Sequence, residues 1–113
     1  MSGPIIQTEV EERLLQLADR LDVEVERFAG VSLERAQAEA DYKLTYSKVV
    51  VTLVGKDTVA RKEALAHLKA GDTYHAWKLA EAREKATQQA LIAIRTQMDA
   101  LRTISANVRA MGG

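Results

Sequence analysis

The sequence has no cysteine, one proline and few aromatic residues. The lack of cysteine excludes disulfides, thiolate zinc sites and cysteine nucleophiles. Aromatic residues make up only 4% of the 113 residues, so neither an aromatic-rich β-sandwich nor, with one proline, a proline-rich linker protein fits. The longest apolar run, residues 49–54, is too short to span a bilayer. These absences favour a soluble, helical protein.

Acidic and basic residues balance over the whole chain but are unevenly distributed. Residues 1–30 hold seven acids and three bases, whereas residues 31–113 hold nine acids and thirteen bases. We therefore predict an acidic N-terminal helical arm, residues 1–30, followed by a basic domain, residues 31–113. An acidic arm fits two roles: it contacts the basic domain, or it regulates a basic domain that binds a polyanion. Ordinary scatter of solvated charges is the alternative.

Two helices are predicted in the first half of the chain. The first starts at Thr8, where Thr8 and Glu11 have the spacing of a capping box, and it ends at Gly30. The second starts after Ser32 as N-cap and ends at Gly55. Both helices carry apolar residues on one face.

The second half begins with a choice between strand and helix. Residues 49–54 are β-branched, but they follow a helical period and have no second strand to pair with, so we predict helix. Asp57 or Thr58 then caps a short third helix that stops near Gly71, before Asp72 and Thr73 start the long C-terminal helix. If Gly71 does not break the chain, the third and fourth helices merge. The predicted fold class is all-α: an elongated helical hairpin with an N-terminal amphipathic helix and a long C-terminal oligomerisation helix.

The C-terminal helix has an apolar seam with heptad spacing and, beside it, three arginines spaced by seven. From Tyr74 to Arg109 it would run about 54 Å at the standard rise, which is too long for a compact globule of this size. The seam either packs within the chain or joins subunits, and we favour subunits. Its predicted oligomerisation residues are Leu91, Ile94, Met98, Leu101 and Val108, with Ser105 in the polar gap, and the arginines are Arg95, Arg102 and Arg109.

Basic and aromatic residues are mixed between positions 42 and 62. Tyr42 and Tyr46 lie one helical turn apart, and Asp57 is the only acid among five bases. Single-stranded nucleic acid is held by this combination, because cations neutralise phosphates and rings stack on bases. Alternatively, the tyrosines pack the hairpin core and the lysines are merely solvated. The predicted nucleic-acid-binding residues are Lys43, Tyr46, Lys48, Lys56, Arg61 and Lys62, and Tyr74, Trp77 and Lys78 could extend the surface.

Catalytic chemistry has little support in the sequence. His67 and His75 lie eight residues apart, with no carboxylate placed to complete a three-ligand set at helical spacing. No serine or threonine has a histidine and an acid identifiable as partners. We predict no enzyme, no metal site and no cofactor.

Several short motifs resemble those of the UvsY-type recombination mediators of tailed phages. The motifs are Tyr46-Ser47-Lys48, then Arg61-Lys62-Glu63, and the ending Ala90-Leu91-Ile92-Ala93-Ile94-Arg95 with Met98, Leu101, Ile104 and Val108-Arg109. The resemblance covers roughly residues 33–111. The N-terminal arm departs from the family's pattern.

The resemblance implies a small ring-forming protein without nucleotide hydrolysis, located in the host cytoplasm. It would bind single-stranded DNA and help a recombinase displace the single-strand-binding protein and assemble its filament. The predicted bases would then hold DNA phosphates, and the C-terminal helix would join subunits. A competing hypothesis is a helical phage or bacterial interaction protein, such as an assembly chaperone, a scaffold or a defence inhibitor, without DNA binding. Steep salt dependence of DNA binding separates the two.

Overall fold

The computed structural model describes residues 7–53 and 58–112. This part of the chain forms three α-helices: α1 (Gln7–Thr52), α2 (Val59–Lys69) and α3 (Gly71–Gly112). No strand occurs among the described residues, and the predicted all-α fold class is confirmed. Within the same residues, no helix has an apolar stretch long enough to cross a lipid bilayer.

α1 is one helix of 46 residues where two were predicted. The predicted end at Gly30 and the predicted start after Ser32 are wrong, because the helix continues through both positions. A single glycine costs a helix about 1 kcal/mol relative to alanine, and packing of the residues on either side outweighs this cost. The helix already includes Gln7, so Thr8 lies inside it and is not its N-cap.

The end of α1 confirms the helical prediction for residues 49–52. The Leu53 amide donates to the carbonyl oxygens of Val49 and Val50 at 3.2 and 3.1 Å, and the Thr52 hydroxyl donates to the Val49 carbonyl at 2.7 Å. These bonds satisfy carbonyls that lack a partner in the last turn of the helix. The predicted helix end at Gly55 lies outside the described residues.

α2 is the predicted short third helix, and one of its two predicted caps is confirmed. The Thr58 hydroxyl accepts a hydrogen bond from the Arg61 amide at 3.3 Å, which satisfies a free amide of the first turn. The other predicted cap, Asp57, lies outside the described residues. The helix ends at Lys69 with Ala70 as its C-cap, close to the predicted end. α3 begins at Gly71, just before the predicted start at Asp72 and Thr73, so the glycine belongs to the helix.

The chain divides into two compact units that differ from the predicted arm and body. In unit 1, residues 7–28 of α1 pack with residues 87–112 of α3. Unit 2 consists of residues 29–53 and 58–86, which include all of α2. The N-terminal segment is therefore one half of a packed unit, with the C-terminal half of α3 as its partner.

The core of unit 1 is an aliphatic seam between antiparallel segments of α1 and α3. Leu17, Ile94 and Met98 form its buried centre, and Leu14, Ala18, Leu21 and Leu101 pack against them. Near one end, the Gln7 side-chain amide donates to the Ser105 hydroxyl at 2.7 Å. The polar gap in the heptad pattern therefore has a hydrogen-bond partner on α1, as a buried hydroxyl requires.

Burial within one chain supports the intrachain alternative for the C-terminal seam, and the subunit contact stays a prediction. Leu91, Ile94 and Met98 are only 7%, 3% and 8% exposed in a single chain. Leu101 and Val108 are half-buried. The structure shows intrachain packing for Ile94, Met98 and Leu101, which contact α1. The favoured subunit contact through this seam would need surface that α1 already covers.

Candidate nucleic-acid interface

An aromatic cluster occupies the space between the three helices of unit 2. Its members are Tyr42 and Tyr46 from α1, His67 from α2, and Tyr74 and Trp77 from α3. The Tyr42 ring lies at the centre: it stacks on Trp77 with ring centroids 5.4 Å apart, and Tyr74 meets it edge-on at 5.3 Å. Tilted, edge-on and stacked pairs at these separations are the favoured aromatic geometries.

Helical spacing and small residues bring these rings together. Tyr42 and Tyr46 are four residues apart on one face of α1, and Tyr74 and Trp77 are three apart on α3. Ala66 and Ala70 are fully buried where α2 passes into α3. Both alanines lie within four residues of a ring of the cluster, His67 or Tyr74.

One hydrogen bond ties α2 to α1 at the exposed edge of the cluster. The Tyr42 hydroxyl and His67 Nδ1 are 3.0 Å apart, and the two rings meet edge-on. His67 is exposed although it takes part in this contact. The bond therefore holds α2 against α1 from the outside of the cluster.

Lys78 lies over the indole of Trp77. Its Nζ is 4.3 Å from the centroid of the Trp77 ring and 5.6 Å from that of Tyr74. The ammonium is attracted to the negative face of each ring, and it also pairs with Glu81 at 3.5 Å. The Trp77 Nε1 is buried and has no hydrogen-bond partner among the described residues.

Tyr46 forms the partly exposed edge of the cluster. Its pKa is raised above the ordinary value by partial desolvation, and the negative charges of Glu63 and of an ionised Tyr42 act in the same direction. The phenol is therefore neutral at physiological pH and adds no charge that would repel phosphate.

The predicted bases within the described residues lie on α1 and α2. Lys43 and Lys48 are exposed on α1, Arg61 is exposed on α2 and Lys62 is half-buried. Lys43 pairs with Glu39 at 3.5 Å while its side chain is 68% exposed, so screening by water leaves it available to other anions. Lys56 lies outside the described residues.

The structure agrees in part with each of the two alternatives for the aromatic residues. The rings pack against each other, as the core alternative predicts. Tyr42, Tyr46, Tyr74 and Trp77 are nevertheless all half-buried, so each keeps an exposed part.

Sequence reasoning missed His67 as a member of the cluster. We considered this residue only as a metal ligand, whereas it contacts two of the tyrosines. His67 and Tyr74 are seven residues apart, a spacing that places two side chains on the same side of a continuous helix. This spacing could have indicated the contact if the helix were assumed to continue with little change of direction. The helix end at Ala70 concealed that relationship.

In residues 7–53 and 58–112, no group of three or more histidine, aspartate or glutamate side chains could hold a metal ion. Comparison with protein-family models finds no match, and no curated protein and no solved structure matches the chain.

Proposed function

We propose that this protein is a non-enzymatic single-stranded DNA-binding recombination mediator that helps load a recombinase onto DNA. One observation carries the DNA-binding part: half-buried rings lie beside a locally basic surface. Between positions 42 and 69, the described residues contain five bases and one acid, Glu63. We name Lys43, Lys48, Arg61 and Lys62 the basic surface.

Binding would combine charge with stacking. The four cations of the basic surface would neutralise phosphates, and unpaired bases would stack on the exposed parts of Tyr46 and its neighbours. Each stacked base contributes about 1 to 3 kcal/mol in proteins of this kind. Paired bases in a duplex present no free face, so we expect single strands to be preferred.

The recombinase and the single-strand-binding protein enter the proposal through the resemblance to UvsY-type mediators. The motif residues Tyr46, Lys48, Arg61 and Lys62 lie on α1 and α2, which the contact between Tyr42 and His67 joins. Their proximity in unit 2 supports treating the motifs as one surface. No step of the proposed function breaks or forms a covalent bond.

A second candidate is a helical protein-interaction module without DNA binding, such as an assembly chaperone, a scaffold or a defence inhibitor. Exposed apolar side chains favour it: Leu33 and Val59 are each 71% exposed, and Leu68 is 77% exposed. A protein contact through such side chains would bury apolar surface that a single chain leaves exposed. The two candidates differ in whether DNA binds at all.

The first test is fluorescence anisotropy of a labelled single-stranded oligonucleotide titrated with the protein at 50 and 200 mM salt. Four phosphate contacts on a single strand predict that the affinity falls by about 50-fold between these concentrations. Unlabelled duplex DNA should compete more weakly than unlabelled single strand. No binding at 50 mM salt would overturn the proposal and favour the interaction module.

A pair of charge reversals localises the binding surface. Lys48→Glu combined with Arg61→Glu should lower the affinity by at least about tenfold, because two phosphate contacts are replaced by repulsion. Arg13→Glu combined with Arg20→Glu is the matched control, since it changes the net charge equally at exposed positions of unit 1. Equal losses in both variants would show that only net charge matters.

The mediator step needs its own readout. We expect the protein to accelerate recombinase filament assembly on single strands that are coated with single-strand-binding protein. The double reversal in the basic surface should abolish the acceleration. An unchanged rate with the parent protein would leave DNA binding intact but contradict the mediator role.

A further inference from the structure

Two groups cover the indole of Trp77, and only one of them is held firmly. The phenol of Tyr42 stacks on the indole inside the cluster, with ring centroids 5.4 Å apart and planes tilted by 24°. The ammonium of Lys78 lies over the same indole, 4.3 Å from its centroid. Tyr42 is half-buried and contacts further rings, whereas Lys78 is exposed and has a flexible four-carbon stem. Lys78 is therefore the cover that can move.

The contacts that keep Lys78 in place are weak in water. Its Nζ is 3.5 Å from a carboxylate oxygen of Glu81, and the two side chains are 42% and 47% exposed. Solvent and salt screen an ion pair with this exposure, and a cation over a ring at an exposed site adds only a modest attraction. A phosphate that approaches from solvent competes directly with Glu81 for the ammonium. Lys78 can leave the indole by a change of its own side chain alone.

The indole N–H is a second, independent observation at this position. The Trp77 Nε1 is buried and has no hydrogen-bond partner among the described residues, although an indole can only donate. Leaving a buried donor without an acceptor costs free energy, and few such groups occur in native proteins. A ligand whose oxygen atoms reach this edge of the ring would remove that cost. Trp77 thus combines a ring under a removable cover with a donor that lacks an acceptor.

An unpaired nucleotide has the two chemical groups that match Trp77 and Lys78. Its base is flat and stacks on an aromatic ring, as bases do in proteins that hold single strands. Its phosphate is an anion that attracts the ammonium and carries acceptor oxygens. A carboxylate of a partner protein would also attract Lys78, but it would leave the uncovered indole without a flat partner.

We propose that Trp77 and Lys78 form a covered nucleotide subsite, in which a DNA phosphate draws the Lys78 ammonium off the indole and the base of that nucleotide stacks in its place. The subsite rests on the proposed DNA binding and adds a position on α3, whereas the basic surface and Tyr46 belong to α1 and α2. No covalent bond changes. The subsite opens only for a ligand that carries negative charge beside a flat ring.

The test combines the fluorescence of Trp77, the only tryptophan of the chain, with the anisotropy of labelled oligonucleotides. Unlabelled oligothymidine should quench the Trp77 emission, because a base replaces the ammonium on the ring. An abasic oligonucleotide of the same length carries the phosphates without the bases. It should still bind by charge, as labelled abasic strand shows in anisotropy, but quench Trp77 much less at saturation.

Removal of the cover gives a second readout. Without DNA, acrylamide should quench Trp77 more efficiently in Lys78→Ala than in the parent, because the indole is uncovered. With DNA, the slope of log affinity against log salt should become shallower by about 0.7, because one phosphate contact on a single strand is lost. Lys78→Arg keeps the charge and should keep the parent values of both quantities.

Lys85→Ala is the matched control for Lys78→Ala. It removes the same charge at an exposed position two turns further along α3. Acrylamide quenching and the salt slope should both stay at the parent values. Circular dichroism of each variant checks that the helices persist.

Three results would overturn the subsite and leave the proposed DNA binding intact. Oligothymidine that binds in anisotropy without quenching Trp77 excludes stacking at this ring. Equal quenching by the abasic oligonucleotide excludes a base as the cause. An unchanged salt slope for Lys78→Ala excludes the phosphate contact. Failure of the proposed function is a different result, namely no change in anisotropy with any oligonucleotide, and it would overturn the subsite as well.

Discussion

Gly30 lies inside α1, although glycine is among the least favourable residues in a helix. A Cβ atom built at this position would meet nothing within 4 Å. The residue is exposed, so its lack of a side chain serves no close approach within the described structure. Glycine at position 30 therefore lowers the stability of the helix, and no close packing in the described structure requires it.

Gly30→Ala should therefore raise the free energy of unfolding by about 0.5 to 1 kcal/mol, because alanine restricts the unfolded chain and fits the helix. Urea denaturation followed by circular dichroism measures the change. Gly71→Ala is a useful comparison, since space is open there too but the residue begins α3. A loss of stability in Gly30→Ala would mean that this position does not tolerate a regular helix.

At the scale of the helices, α1 and α3 repeat one pattern along their whole length. Their buried and half-buried residues recur at alternating steps of three and four, but several of these positions are polar. In unit 2 the Arg35 Nε donates to both carboxylate oxygens of Glu84 at 3.2 Å, and Arg35 also approaches Glu39 at 3.7 Å. This pair fixes which turns of α1 and α3 lie opposite each other.

We expect the Arg35 and Glu84 pair to set register more than stability. Their side chains are 29% and 23% exposed, so water screens the attraction. A double-mutant cycle with Arg35→Ala and Glu84→Ala should give a coupling free energy of at most about 1 kcal/mol. Chemical denaturation of the four proteins measures it. A coupling of several kcal/mol would assign the pair a main part in stability.

The pattern in the sequence predicted the helices better than their partners. The heptad spacing from Leu91 to Val108 correctly marked a buried seam, and the hydroxyl of Thr58 correctly marked a helix start. The glycine at position 30 misled, because local propensity was given more weight than packing on both sides. A heptad seam also looks the same whether its partner is another chain or a distant part of the same chain.

At the scale of the whole molecule, the two units differ in the residues of their cores. Every tyrosine and the single tryptophan lie in unit 2, whereas the core of unit 1 is aliphatic. Sequence reasoning grouped the tyrosines with Trp77 correctly. It could not divide the chain into these units, because unit 1 combines segments from both ends of the described chain.

Because the single tryptophan lies in unit 2, its fluorescence reports on the unfolding of that unit, and the cooperativity between the two units can be measured. α1 and α3 each extend from one unit into the other without a break, so we expect one unfolding transition. Leu17→Ala should remove about 2 to 5 kcal/mol, since Leu17 is only 1% exposed. Although Leu17 belongs to unit 1, the substitution should also shift the transition seen by Trp77 fluorescence. A fluorescence midpoint that stays unchanged while the circular dichroism midpoint falls would contradict this.

The pairing of Gln7 with Ser105 joins residues 98 positions apart, and the partners of Leu17 are Ile94 and Met98. During synthesis on the ribosome, residues 7–28 therefore emerge long before the segment that covers their leucines. Unit 2 is continuous in sequence, apart from its undescribed residues, and needs no such delay. The nascent chain thus exposes its first apolar seam until residues 87–112 have been synthesised, and a ribosome that stalls before residue 87 holds a chain with that seam uncovered.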